Sequence, residues 1–246
     1  MIFDCHAHVG YSKFADRLIT AELVLEIMDK SGIDKALLLP TASTGKYYNG
    51  EQMLAEANKA PDRLIPFAGV NPKDKNALND FEEAVTEYGA RGLKIHPVYA
   101  ACAADDEHYV YPLVAMAEAL GVPVMFHSGD APYATPWQIG LVAMDFPGVT
   151  IIMEHMGFDA MVFTSAAIKM ARKCPNIILG TTGVMYEFPI TAAVNSIGAD
   201  RIIYGGELPM NNPIHEILKV RCAQISKTAQ EKILGKNLAR LLSIQD

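Results

Sequence analysis

The 246-residue sequence has little cysteine, and what it has is scattered. Cys5, Cys102, Cys174 and Cys222 form no CxxC pair and no dense framework, which excludes a disulfide scaffold and suits a reducing compartment. No apolar run approaches the ~18 residues that a membrane span requires. The first strand-like run begins at residue 2, leaving no room for a charged and then apolar leader, so a cytoplasmic protein with no membrane partner is expected. A basic excess is missing too: 21 Lys and Arg stand against 28 Asp and Glu, and the net charge of −7 argues against a nucleic-acid partner. There is no linker or low-complexity stretch. Half of the residues are hydrophobic, ample material for a core.

Short apolar runs rich in β-branched residues recur at 1–9, 35–40, 63–70, 91–97, 122–127, 149–155, 176–182 and 201–206, each bounded by Gly, Pro or polar residues. Between them lie amphipathic segments. The run at 20–32 has Thr20 as its N-cap and Gly32 as its stop, and similar patterns occupy 76–89, 111–121, 163–175 and 228–242. The strands are spaced roughly as successive βα units. Continuous apolar strands alternating with helices predict a parallel sheet buried on both faces. Eight such units predict one α/β domain over residues 1–246, a (β/α)8 or TIM barrel. A doubly wound open sheet is the rival, but the first strand runs into "VGYSKF", which lacks a Gly-rich phosphate loop.

In a barrel the chemistry sits at the C-terminal ends of the strands. The first strand contains "FDCHAHVG", in which Asp4, His6 and His8 alternate and are expected to point to one side, with Cys5 facing the helices. Lys94 and His96 end the fourth strand, His127 the fifth and His155 the sixth, and the eighth leads into Glu207. Of seven histidines only His108 and His215 fall elsewhere. Imidazoles and a carboxylate converging on one mouth suit a divalent cation that activates water, with a neighbouring group to move protons. Several of these residues also have plain structural readings. Asp4 can serve as a buried carboxylate that orients His6 or pairs with Lys94. His96, before Pro97, can be a hydrogen-bonded barrel histidine. Tyr47, Tyr48, Tyr99, Tyr133 and Trp137 follow strands, where substrate walls are built, and Tyr99 and Trp137 are the candidates for substrate binding. Lys13, Arg17 and Lys46 either meet an anionic substrate or are simply solvated.

Taken in order, "FDCHAHVG", "RGLKIHP", "VMFHSG", "IMEHMG", "IIYGGELP" and "EKILGKNLARLL" resemble the motifs of the amidohydrolase superfamily over essentially the whole chain. They are most similar to its branch containing the aminocarboxymuconate-semialdehyde and resorcylate decarboxylases. The resemblance implies His6, His8 and His127 as metal ligands, and His155 as a proton donor or substrate-polarising group. Where the family has Gly-Ser-Asp at the end of the eighth strand, this chain has Gly205-Gly206-Glu207, so Glu207 is expected as ligand or base. Lys94 stands where some relatives carry a carbamylated lysine that bridges two metals. Otherwise it must pair with a carboxylate such as Asp4 or Glu207, or be neutral. The cofactor implied is one divalent cation, zinc first and manganese second, with one ion ahead of two. The expected activity is metal-dependent hydrolysis of a small carbonyl or carboxylate-bearing substrate, with Glu207 and His155 handling protons. One alternative is a metal-dependent decarboxylase or hydratase of a small carboxylic acid. Another is a non-catalytic ligand-binding relative. A homo-oligomer, dimer or larger, is the expected assembly.

Overall fold

The computed structural model describes residues 1–42, 47–158 and 161–244. Its strands are β1 (Phe3–Ser12), β2 (Arg17–Ile19), β3 (Lys35–Pro40), β4 (Leu64–Pro66), β5 (Ala68–Gly69), β6 (Leu93–Ile95), β7 (Val124–His127), β8 (Ile151–Glu154), β9 (Ile177–Gly180) and β10 (Ile202–Ile203). Parallel pairing runs β1-β3-β4 in one sheet and β5-β6-β7-β8-β9-β10 in the other. Two seams join them. At the first, Phe67 N donates to Leu38 O at 2.9 Å and Ala68 N to Gly92 O at 2.8 Å, so 64–69 is one stave shared by both sheets. At the second, Cys5 N donates to Tyr204 O at 3.0 Å and Leu208 N to His6 O at 2.9 Å. The result is a closed (β/α)8 barrel.

The helices are α1 (Ala21–Ser31), α2 (Gly50–Ala57), α3 (Ala77–Thr86), α4 (Pro97–Ala100), α5 (Tyr111–Leu120), α6 (Pro136–Asp145), α7 (Met161–Lys173), α8 (Phe188–Ile197), α9 (Pro213–Cys222), α10 (Lys227–Glu231) and α11 (Asn237–Leu241). As expected, α1 begins where the Thr20 side chain accepts from Leu23 N and ends at Gly32, whose φ of 69° is the left-handed stop that glycine adopts most readily. The segment expected as one helix at 228–242 is instead α10, a π turn over Lys232–Lys236, and α11. The π turn brings Gly235 so close to the Met1 carbonyl that a Cβ would stand 2.7 Å from it. Asn237 Nδ2 donates to both Ala199 O and Ile202 O at 2.7 Å, and so ties this segment to the last stave. Among the described residues, no helix is long and apolar enough to cross a membrane.

Two apolar layers follow from the strand alternation. The barrel interior holds Phe3, Leu37, Leu39, Ile65, Phe67, Met125, Ile152 and Ile203, capped by Leu238 and Leu242. The outer layer packs Ala7, Val9, Leu38, Leu93, Val124 and Met153 against the helices.

β1 departs from the expected alternation. Its partners in β3 run Asp4↔Ala36 and then Ala7↔Leu38, so β1 carries one extra residue, a β-bulge, between Asp4 and Ala7. The bulge shifts the phase of the side chains. Cys5 joins the interior layer instead of facing the helices, while Ala7 and Val9 take the outer side. Asp4 therefore does not line the cavity with His6 and His8. Its Oδ1 accepts from His6 N at 2.8 Å and Gly206 N at 2.7 Å, beside the Tyr204 hydroxyl. Beyond the barrel, β1 continues into an antiparallel hairpin with β2, an element absent from the sequence expectation.

Candidate functional site

At the C-terminal end of the barrel, the strand ends open into a cavity of about 560 Å³. Its floor contains His6 and His8 from β1, Lys94 from β6, His127 from β7, His155 after β8 and Glu207 after β10. Phe14, Pro40, Val98, Tyr99, Phe158 and Met210 form an apolar collar around that floor. The hairpin of β1 and β2 supplies Phe14, and the short helix α4 supplies Tyr99.

Two of the polar residues sit on unusual backbone. His155 has φ 64° and Glu207 has φ 54°. A left-handed conformation at a non-glycine residue costs of order 1–3 kcal/mol and persists only where its surroundings enforce it. Here the buried Ser128 does so for His155. Its hydroxyl donates to the Glu154 carbonyl and accepts from Gly157 N, pinning both sides of the turn. For Glu207, Met210 N and Asn211 N donate to its carbonyl at 2.7 and 3.1 Å, and Asn211 Nδ2 donates to Oε2 at 2.9 Å.

The rings form a connected array. His6 lies 4.7 Å from His8 and 5.1 Å from His155 between centroids, and His155 lies 4.5 Å from His127. His96 stacks on His127 at 4.0 Å and 12°, with its Nδ1 accepting from Tyr99 N. Burial and the Lys94 charge hold His6 well below the ordinary imidazole value, and burial first holds His96 and His155 well below it too. The same two causes bring His8 down to about 3. These imidazoles are neutral, the form that ligates metal or accepts a proton. His155 Nδ1 stands 3.2 Å from the Thr182 carbonyl, which fixes the proton there and leaves Nε2 as an acceptor. Burial pushes Glu207 up to about 7, aided by the negative charge of Glu154. Burial lowers Lys94 to about 8, so it still carries its proton at neutral pH.

His6, His8 and Glu207 each bring a donor atom within 4.8 Å of the others, as do His6, Glu154 and His155. These donor sets fit a divalent cation: neutral imidazoles, a carboxylate, and buried atoms such as His6 Nδ1 and Glu154 Oε1 that have no hydrogen-bond partner among the described residues. His127 belongs to neither group. Its Nε2 is held by Asp130 Oδ2 at 2.5 Å, three residues along the same chain segment. Lys94 Nζ has no hydrogen-bond partner among the described residues, and the carboxylates whose charge acts on it are Glu154 and Glu207. Asp4 is not the partner expected for it. Its carboxyl, raised to about 8 by burial, serves two backbone amides instead.

Tyr99 lines the cavity, but Trp137 does not. It lies on the outer surface of α6, 44% exposed, with its ring edge-on to Phe163 of α7. Being placed after a strand was a poor guide there, because α6 turns that side chain toward the helical ring. Tyr47 and Tyr48 line a separate cavity of about 290 Å³ with Asn49 and Asn71. Lys46 lies outside the described residues. Two charged residues of the site, Glu154 and Asp130, are not among the sequence candidates. Glu154 was hidden as the last letter of an apolar strand, and a lone charge in such a run was its signal. Asp130 had no signal beyond lying three residues after His127.

The sequence profile of the amidohydrolase family matches residues 3–244. The chain belongs to the amidohydrolase family. No curated protein matches this amidohydrolase-family chain. Among solved structures, an uncharacterised TIM-barrel protein from Bordetella bronchiseptica is 24% identical, with 98% of each chain covered and a TM-score of 0.83. A 2,6-dihydroxybenzoate decarboxylase from Rhizobium is 18% identical, with 98% of each chain covered and a TM-score of 0.76. A 5-carboxyvanillate decarboxylase from Novosphingobium aromaticivorans, complexed with manganese and 4-hydroxy-3-methoxy-5-nitrobenzoic acid, is 16% identical over 99% of this chain and 96% of that one, with a TM-score of 0.81. At these identities the structural likenesses establish the barrel fold.

Proposed function

We propose that the protein is a metal-dependent lyase that decarboxylates a small, flat carboxylic acid, rather than the hydrolase that its motifs first suggest. The observation that carries this reading is Lys94. Its ammonium lies at the cavity floor, 2% exposed and without a hydrogen-bond partner among the described residues, where an anionic substrate group would satisfy it more fully than the nearby charges of Glu154 and Glu207 do. A buried cation without a direct hydrogen-bond partner is costly, and a carboxylate or an oxygen gaining negative charge would offset that cost. The apolar collar suits a ring or short unsaturated chain above that charge. The relatives named as dihydroxybenzoate and carboxyvanillate decarboxylases favour the same class.

In this reading His6 and His8 would hold the cation, and Glu207 beside them would act as the proton carrier rather than as a ligand. When bound, a divalent cation supplies positive charge that orients substrate oxygens and offsets charge that builds up in the transition state. The neighbouring structure with manganese favours that ion beside zinc. Lys94 binds the substrate from below, and the collar excludes water. When the C–C bond breaks, carbon dioxide leaves and its electron pair stays on the substrate carbon. Glu207, which can hold a proton near pH 7, delivers it to that carbon and is reprotonated from solvent. Asn211 holds the Glu207 carboxyl in place for the transfer.

A second reading, hydrolysis, is favoured by His155. With Nδ1 committed to Thr182, its Nε2 can accept a proton from water. The deciding experiment assays manganese- and zinc-loaded protein against hydroxybenzoic and short unsaturated acids, and against esters, lactones and amides. Carbon dioxide release from an acid, abolished by chelation, supports the lyase. Turnover confined to esters, lactones or amides establishes the hydrolase. No turnover with either set returns the protein to ligand binding alone.

A further inference from the structure

Glu154 is fully buried at the end of β8, inside the barrel, and is adjacent in sequence to His155. Several features make room for it. Gly180 on β9 faces it so closely that any Cβ there would collide with its carboxyl group. The bulge in β1 turns Cys5 inward, and the Cys5 thiol donates to Glu154 Oε2 at 3.2 Å. The other oxygen, Oε1, stands 3.5 Å from His6 Nδ1, and neither atom has a hydrogen-bond partner among the described residues. A fully buried carboxylate with no role would be costly, and a leucine would fill the space more cheaply.

We propose that Glu154 is a positioning residue for the metal centre, accepting a hydrogen bond from Nδ1–H of His6 so that Nε2 is the lone-pair nitrogen offered to the cation. The inference rests on the reading of His6 and His8 as ligands. A neutral imidazole carries one proton, so a partner at one nitrogen dictates the role of the other. Cys5 holds the far oxygen and stops the carboxylate from rotating away. Glu154, His6 and His155 could also form a cation group of their own. The adjacent Lys94 ammonium opposes a cation there. Gly180 and Cys5 are thus parts of the same device.

The test combines two measurements on the full chain: 15N NMR of histidine-labelled, metal-free protein, with His6 assigned by its loss in His6→Asn, and manganese titration followed by electron paramagnetic resonance. In the wild type His6 is expected as the Nδ1–H tautomer. Glu154→Leu is expected to release it toward the Nε2–H form and to weaken manganese binding roughly 10- to 100-fold. Glu154→Gln keeps the shape and one acceptor, so it should fold even if the leucine variant does not. It should hold the tautomer while losing affinity toward the lower end of that range. An unchanged manganese affinity in Glu154→Gln overturns the proposal, as does an unchanged His6 tautomer in Glu154→Leu. Two manganese ions in the wild type and one in Glu154→Gln would overturn it by making Glu154 a ligand. If the wild type binds no manganese, the metal reading fails, and the His6 tautomer in the wild type and Glu154→Leu still decides the role of Glu154.

Discussion

At the N-terminal end of the barrel interior, Phe3, Leu37, Ile65, Phe67, Met125 and Ile203 fill the space, and Leu238 and Leu242 close it from below. A few residues further along several of the same staves, His6, His8, Lys94 and His127 line the cavity, and the buried Glu154 ends β8. The apolar end is a cluster of buried hydrophobic side chains. In the polar end His6 Nδ1, Lys94 Nζ and Glu154 Oε1 are buried without hydrogen-bond partners among the described residues. Burying such groups costs of order 1–3 kcal/mol each, a cost the apolar end must offset. One end therefore stabilises the barrel, and the other spends that stability on an arrangement ready for a cation and an anionic substrate.

Substitutions at the two ends should move stability and function in opposite ways. The largest effect is expected for Glu207→Gln, which should lower turnover about 10²- to 10⁴-fold while leaving the melting temperature unchanged or higher. Steady-state assay on the acid that the substrate panel identifies, with thermal denaturation alongside, measures both. Next comes Phe67→Ala at the apolar end. It should cost about 3–5 kcal/mol in urea unfolding yet leave the cation stoichiometry of the folded protein intact. Loss of the cation without loss of stability would dissolve the distinction between the ends. Lys94→Met removes a buried charge but also the positive field on the buried Glu154 and Glu207, so the two effects oppose each other and the net change in stability should be small. The variant should raise KM for a carboxylate substrate more than for an uncharged analogue.

The smallest effect is in the pH dependence of stability. Glu207 is raised from 4.5 to about 7, chiefly by burial. Below pH 4.5 it is protonated whether the chain is folded or unfolded. Between pH 4.5 and 7 the unfolded chain releases the proton while the folded chain keeps it, so stability from this group is lost as pH rises through that window. In chelated protein, wild type should lose stability relative to Glu207→Gln between those limits and level off above pH 7. A difference that grows in favour of wild type would contradict the raised value.

Much of this was legible in the sequence because it rests on local rules. Apolar runs with β-branched residues marked all eight staves, and Thr20 and Gly32 marked both ends of α1. Strand ends marked His96, His127, His155 and Glu207, which the structure brings to one cavity. What failed depended on registry and tertiary choice. Nothing in "FDCHAHVG" announces a bulge, so strict alternation places Asp4 and Cys5 on each other's sides. The outward turn of Trp137 depends on where α6 packs, which an isolated segment does not specify. Glu154 was legible only as a lone charge in an apolar run, and its partners Cys5 and Gly180 come from two other strands.

The most direct test of the polar floor as a metal centre is the cation content of protein purified without chelators, measured by elemental analysis for wild type, His6→Ala and His8→Ala. One equivalent of manganese or zinc per wild-type chain, lost from both variants while they remain folded, is the expected result. A wild-type chain that takes up no divalent cation even after supplementation, or variants that keep a full equivalent, would contradict it.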